Sequence, residues 1–286
     1  MQSVWKLIVT VADIEAAEQV LETHGALAQA ITPVSPAASS PFSDSHFIEA
    51  YFTGQPDAQS LQQALPRHTD FAIEILPDLD WVGESQKGLT PVSVPPLFVH
   101  GAHDRDAVPP GRIGLEINAG EAFGTGHHET TTGCLQMMLR QLKSGLPSRA
   151  ADIGCGTGVL AIALARLTRR PVMAGDIDPI AVRTTAYNAR LNHLGGLVKA
   201  ETGAGFAGPA LRQAAPFDLI LANILAEPLR QLAPDFRRYL APGGRLIVSG
   251  LLASQERGVV AAMRVQNISL TDRLQIGEWT TLRFRG

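Results

Sequence analysis

The chain has 286 residues and a net charge of −3 at neutral pH, room for two domains and a large core. A hydrophobic content of 45% with 18% charged residues is that of a soluble globular protein. No apolar run approaches the roughly 18 residues of a membrane helix, and no secretory signal is recognisable at the N-terminus, so a cytoplasmic location without membrane contact is expected. The two cysteines, Cys134 and Cys155, suit a reducing compartment and are too few for a structural zinc site. The charge is uneven: residues 1–90 hold 3 Lys/Arg against 12 Asp/Glu, a balance of −9, and residues 91–286 hold 21 against 15, a balance of +6. An acidic N-terminal region excludes a basic nucleic-acid arm and suits either a basic protein partner or simple solvation.

Trp5, Leu7, Val9 and Val11 alternate as in a half-buried strand. Asp13 caps an expected helix carrying Ile14, Ala17, Val20 and Leu21 on one face, stopped by Gly25. A strand over 26–31, a Pro/Ser-rich loop over 32–45, a strand Phe47–Phe52, a short helix Asp57–Leu65 ended by Pro66, and a strand Phe71–Ile75 follow. The order βαββαβ predicts a ferredoxin-like α+β domain over residues 1–77. Residues 78–112 read as a proline-rich linker with one short strand at Leu97–Val99 and Trp81 as an anchor.

From Ile113 to Gly286 strand and helix alternate, which predicts an α/β domain on a doubly wound, mostly parallel sheet. Helices are expected over Thr130–Leu142, Val159–Leu167, Pro179–Leu191 (capped by Asp178), Glu227–Leu240 (interrupted by Pro228 and Pro234) and Ser254–Met263. The strands are Pro171–Gly175, Leu197–Ala200, Phe217–Ala222 and Arg245–Ser249, closed by a C-terminal hairpin of Ile268–Leu274 and Trp279–Phe284.

Three stretches carry chemistry. Ala150-Ala151-Asp152-Ile153-Gly154-Cys155-Gly156-Thr157-Gly158 is a strand running through a glycine turn into a helix start. Such a turn lets a ligand approach the backbone and meet the free N–H groups of the helix. Asp176 ends the next strand 22 residues beyond Gly154, near the spacing at which a carboxylate meets a ribose. The glycines read G-x-G-x-G, with no third glycine of a dinucleotide fingerprint and no Lys-Ser/Thr of a P-loop. The preceding Asp152 suits a ligand bearing an ammonium group, which favours S-adenosylmethionine over a nicotinamide or flavin.

Asn223 stands at the C-terminal end of an apolar strand, where open α/β sheets bind ligands. Its carbonyl can accept from a substrate N–H and aim the nitrogen lone pair. The alternative is a cap for the next helix. The third stretch, Glu121 to Thr132, is a Gly-punctuated loop entering a helix N-terminus that suits a carboxylate. Within it, His127-His128-Glu129 lacks the i, i+4 histidine spacing of a helical zinc site, so no metal is expected. His100, His103 and His193 read as turn or surface residues.

Together with Gly175-Asp176-Ile177-Asp178-Pro179, Ala222-Asn223-Ile224-Leu225-Ala226 and Leu251-Leu252-Ala253-Ser254-Gln255, these motifs make residues 113–286 resemble the bacterial ribosomal protein L-eleven methyltransferase family. Glu129 is a departure, since many members carry Pro there; the N-terminal region departs most in length and wording. The resemblance implies a class I methyltransferase fold with a seven-stranded sheet. It also implies transfer of methyl groups from S-adenosylmethionine to lysine or N-terminal amines of a large-subunit ribosomal protein, recognised by the N-terminal domain. The implied cofactor contacts are Thr131, Gly154, Asp176 and Asn223. With Gly156 of the turn and Phe123 of the Ala122–Thr131 motif they form the expected cofactor set, and Asn223 doubles as the catalytic residue. A monomer with no need for nucleic acid is expected. Methyl transfer to a small molecule or RNA, or a docking module without activity, stays open on the residues alone.

Overall fold

The computed structural model describes residues 5–11, 20–21, 32–34, 46–52, 56–65, 71–75, 91–118 and 128–286. The chain forms two compact units, Met1–Trp81 and Val82–Gly286.

The first unit is a four-stranded antiparallel sheet in the order β2-β3-β1-β4, built from β1 (Trp5–Val11), β2 (Thr32–Val34), β3 (His46–Phe52) and β4 (Phe71–Ile75). This is the strand order of the split βαβ pattern. Leu7 and Val9 are fully buried, as their alternation requires, and Leu21, in a helical segment, is buried with them. Helix α1 (Ala58–Ala64) is capped by Asp57, whose side chain accepts from Gln59 N. Thr32–Val34, expected as loop, is a strand. It carries Pro33 but lies at the sheet edge, where a missing N–H costs no ladder bond. Apart from Val20 and Leu21, the helix expected after Asp13 lies outside the described residues, as do the strand over 26–31 and the Trp81 anchor.

The second unit begins with a three-stranded sheet, β5 (Val92–Val94), β6 (Leu97–His100) and β7 (Ile113–Glu116), in the order β5-β6-β7. Much of the stretch expected as linker is therefore regular structure. His100 is a correction: it is 6% exposed, because all four residues of β6 are buried.

The main sheet has seven strands: β8 (Ala150–Ile153), β9 (Val172–Asp176), β10 (Val198–Thr202), β11 (Phe217–Asn223), β12 (Leu240–Leu252), β13 (Ser269–Ile276) and β14 (Trp279–Arg285). Their order is β10-β9-β8-β11-β12-β14-β13. The first five are parallel, and β14 runs antiparallel between β12 and β13.

Alternate residues feed two cores. Ala150, Leu219, Leu221 and Ile247 face helices α2 (His128–Leu142) and α3 (Val159–Thr168). Ala151, Ile153, Ile220, Ala222, Leu246 and Val248 face α5 (Pro209–Ala214), α6 (Ala226–Gln231), α7 (Ala233–Tyr239) and α8 (Glu256–Val265). Both faces being covered explains why these strands read as nearly unbroken apolar runs. Helix α4 (Pro179–Leu191) starts as expected, with the Asp178 side chain accepting from Ile180 N. The helix expected over Glu227–Leu240 is two, parted at Leu232, because Pro234 cannot donate the bond that would carry the first helix onward.

Asp152 departs from its expected role toward a ligand ammonium. Counting along β8 by twos, it shares the face of Ala150 and points at helix α3, 1% exposed. Gly158, the N-cap of α3, offers no side chain, and Asp152 Oδ2 instead accepts from Ala161 N at 3.0 Å. This satisfies one of the orphan donors of the helix from outside its own sequence. Asp152 Oδ1 has no hydrogen-bond partner among the described residues. Burial raises the pKa of this carboxyl from 3.8 to about 7, against the lowering effect of the Ala161 bond and helped by the charge of Asp176.

The folded-state pKa lies above the unfolded one, so the proton favours the folded chain. Stability from this group is full below about pH 4 and is lost as pH rises toward 7. Asp152→Asn keeps an oxygen for Ala161 and removes the titration. Thermal unfolding across pH 4 to 8 should therefore fall less steeply for the variant; parallel profiles would rule the assignment out.

Candidate functional site

The chain passes from β10 back across the sheet to β11, so β8 and β11 flank the topological switch point. Ligands of open α/β sheets sit at such strand ends. Three adjacent strand ends converge there: the glycine turn after β8, Asp176 closing β9 and Asn223 closing β11.

The turn is held by its neighbour. Gly154 N and Cys155 N both donate to Gly175 O, at 2.8 and 3.1 Å. Gly156 N donates to Asp176 Oδ2 at 2.9 Å, and Asp178 N to Asp176 Oδ1 at 3.0 Å. Gly154, Gly156 and Gly158 all have positive φ, at 72°, 53° and 82°. At Gly154 a Cβ would also lie 2.2 Å from Ile224 Cγ2, so a side chain is excluded both by conformation and by the β11 end packed over it. Cys155, inside the turn, is a free buried thiol with its sulfur 3.3 Å from Thr185 Oγ1, and burial pushes its pKa up.

Asn223 is half-buried and its amide nitrogen donates to Thr130 Oγ1 at 3.3 Å. Its side chain does not cap α6, whose N-cap Leu225 has no side-chain cap bond. The amide is thereby turned so that its nitrogen engages the start of α2 and its carbonyl stays an acceptor. Thr131, next along the first turn of α2, is 8% exposed. Glu129 is accommodated in that first turn, where an acid complements the helix dipole.

Of the expected residues, the structure bonds Gly156 to Asp176 and Gly154 to the preceding Gly175, and joins Asn223 to the helix bearing Thr131. Phe123 and His127 lie outside the described residues. Among the described residues, no group of three His, Cys, Asp or Glu is placed to hold a metal, and no helix is long and apolar enough to cross a membrane. Sequence reasoning missed four polar residues at the site. Thr130 orients Asn223, and Thr185, Asn188 and Asn192 of α4 and the residue beyond it grip the turn and the end of β7. Their signal is a polar stripe at 185, 188 and 192, on the helix face that otherwise presents Ala181 and Ala189.

Residues 4–286 match the family model described as ribosomal protein L11 methyltransferase (PrmA). The ribosomal protein L11 methyltransferase of Brucella suis is 48% identical over 215 residues, 75% of each chain. That of Mesorhizobium japonicum is 43% identical over 247 residues, 85% of each chain. Among solved structures, the ribosomal protein L11 methylase of Lactobacillus delbrueckii subsp. bulgaricus superposes with a TM-score of 0.60 at 26% identity, covering 68% of this chain and 96% of that one. With a glycine turn, strand-end acid and strand-end asparagine in the order that the sequence motifs set out, the chain belongs to the ribosomal protein L11 methyltransferase family.

Proposed function

We propose that the chain transfers methyl groups from S-adenosylmethionine to amino groups, lysine side chains or the N-terminal amine, of ribosomal protein L11. The observation that carries this reading is the placement of Asn223. Its amide nitrogen is bound to Thr130 and its carbonyl remains to accept, one strand away from the turn clamped by Asp176.

The residues present fit the methyl donor. The turn has no room for a side chain at Gly154 or Gly158 and lacks the lysine of a triphosphate site. Each oxygen of the Asp176 carboxylate meets one backbone N–H; with about four lone-pair sites in all, the carboxylate retains capacity for a pair of ribose hydroxyls. Gly154, Gly156 and Asp176 would hold the nucleoside, and Thr131, with Phe123 from the loop before it, the amino-acid end. When bound, S-adenosylmethionine supplies an electrophilic methyl group on a sulfonium.

The chain's own contribution is placement. Asn223 Oδ1 accepts an N–H of the target amine and aims its lone pair. A lysine amine with a pKa near 10.4 is neutral in roughly one part in a thousand or less at pH 7; Asn223 orients that neutral fraction, and desolvation beside the cationic sulfonium enlarges it. No side chain is required to act as a general base, and water takes the proton.

The N-terminal unit (residues 1–77, with 78–112 leading to the transferase unit) recognises the ribosomal protein. Its acid excess favours a basic partner. The chain acts in the cytoplasm as a monomer and needs no nucleic acid.

Labelled S-adenosylmethionine incubated with the full chain and purified ribosomal protein L11 should place label on amines mapped by mass spectrometry. Label on RNA alone, or on neither, would overturn the reading. Asn223→Ala should slow methylation at saturating cofactor by about tenfold or more, the scale of a lost orienting hydrogen bond; an unchanged rate removes its catalytic role. Asp176→Ala should weaken cofactor binding, measured by calorimetry, by about 1–3 kcal/mol.

A further inference from the structure

Helix α4 and its C-cap Asn192 carry the stripe Thr185, Asn188 and Asn192, at spacings of three and four that keep them on one face. Asn188 is fully buried and Asn192 is 5% exposed. Thr185 Oγ1 donates to Gly156 O at 2.9 Å, and Asn188 Nδ2 donates to Thr157 O at 2.9 Å. Two successive carbonyls of the glycine turn are thus drawn toward α4. In a trans peptide the C=O and N–H point in opposite directions. Holding Gly156 O against α4 therefore turns the Thr157 N–H away from the helix. Holding Thr157 O does the same for Gly158 N–H, which closes the turn on Cys155 O at 2.7 Å. The Gly156 N–H is already taken by Asp176. The Thr157 N–H meets no acceptor among the described residues.

The same stripe fastens the end of β7. Asn192 gives Nδ2 to Glu116 O at 2.7 Å and accepts from Glu116 N at 3.1 Å. Asn188 gives Nδ2 to Asn118 O at 2.8 Å and accepts from Asn118 N at 3.0 Å. Two side-chain amides here imitate a neighbouring strand. The match is geometric, because four helical residues rise about 6.0 Å and two strand residues about 6.6 Å. Arg105 pins the other side of Glu116 with two hydrogen bonds of 2.8 and 2.7 Å, which hold its carboxyl below the usual range.

We infer that Thr185 and Asn188 are positioning residues for methyl transfer: they set the peptide planes of the glycine turn so that the Thr157 N–H faces the methyl donor. Asn188, bonded at once to Thr157 and Asn118, also makes the turn and the end of β7 one hydrogen-bonded body. The inference rests on the reading that this turn seats S-adenosylmethionine.

The test compares Thr185→Val, which keeps the volume and loses the hydroxyl, with Thr185→Ser, which keeps the hydroxyl and loses the methyl. If orientation of the turn is the role, Thr185→Val raises the Kd and KM for S-adenosylmethionine about tenfold, the scale of a buried carbonyl left without its donor. In that case kcat at saturating cofactor changes little, and Thr185→Ser keeps near wild-type affinity. If Thr185 only packs against Gly158, the order reverses, because serine leaves a gap; that order, or unchanged affinity in Thr185→Val, overturns the inference. Asn188→Asp, which keeps the acceptor for Asn118 N and loses the donors to Thr157 O and Asn118 O, decides by the same measurement should Thr185→Val fail to fold. Asp176→Ala in the same assay separates the two claims. If it alone loses affinity, the seat stands and the positioning role falls; if none of the variants loses affinity, the seat falls as well.

Discussion

The site depends on one clamp across two strands. The turn after β8 leans on the end of β9 through Gly154 N and Cys155 N on Gly175 O, and through Gly156 N on the Asp176 carboxylate. A backbone forced to φ values of +53° to +82° over alternate residues has no helix or ladder of its own to rest on. Without those bonds it is a loose loop on a helix start. With them, it is a rigid edge at the switch point of the sheet, and the strand-end asparagine and first turn of α2 have something fixed to face. Glycine is needed for the conformation, and at Gly154 it is needed again because Ile224 closes over it.

Much of this was legible because the motifs are local. An Asp-Pro pair at a helix start, a glycine cluster between a strand and a helix, and an asparagine at a strand end are all decided by neighbours a few residues away. The mostly parallel sheet and its closing hairpin followed from the alternation of elements and the short connection of the last two strands. What was hidden depends on partners distant in sequence. Asp152 read as a ligand contact, yet strand alternation places it on the face of Ala150, under α3 and away from solvent. Asn188 and Asn192 read as ordinary residues of a helix. Their role exists only because β7 ends beside that helix and offers the backbone of Glu116 and Asn118, 76 and 70 residues earlier in the chain. Pro33 pointed to a loop because composition cannot tell an edge strand from a turn.

Buried polarity around the turn is divided between two kinds of partner. Thr185, Asn188 and Asn192 meet backbone groups with near-complete satisfaction, which rigidifies the region at little cost. Asp152 is half-satisfied, and the chain tolerates this because the carboxyl takes a proton near neutrality rather than carry a buried charge. The acid still serves α3, since either protonation state leaves an oxygen for Ala161.

The strand order has a consequence for how the molecule is made. β14 lies between β12 and β13, and Leu282 and Phe284 are fully buried there, while the Gly286 backbone bonds both Gly243 and Gly244. During synthesis β13 emerges before the strand that joins it to the sheet, and the flank of β12 stays open until residues 279–285 have been added. The transferase sheet therefore cannot close progressively from its beginning. It waits on residues 279–285, so the exposed edge of β12 is a point at which a nascent or truncated chain is open to mispairing.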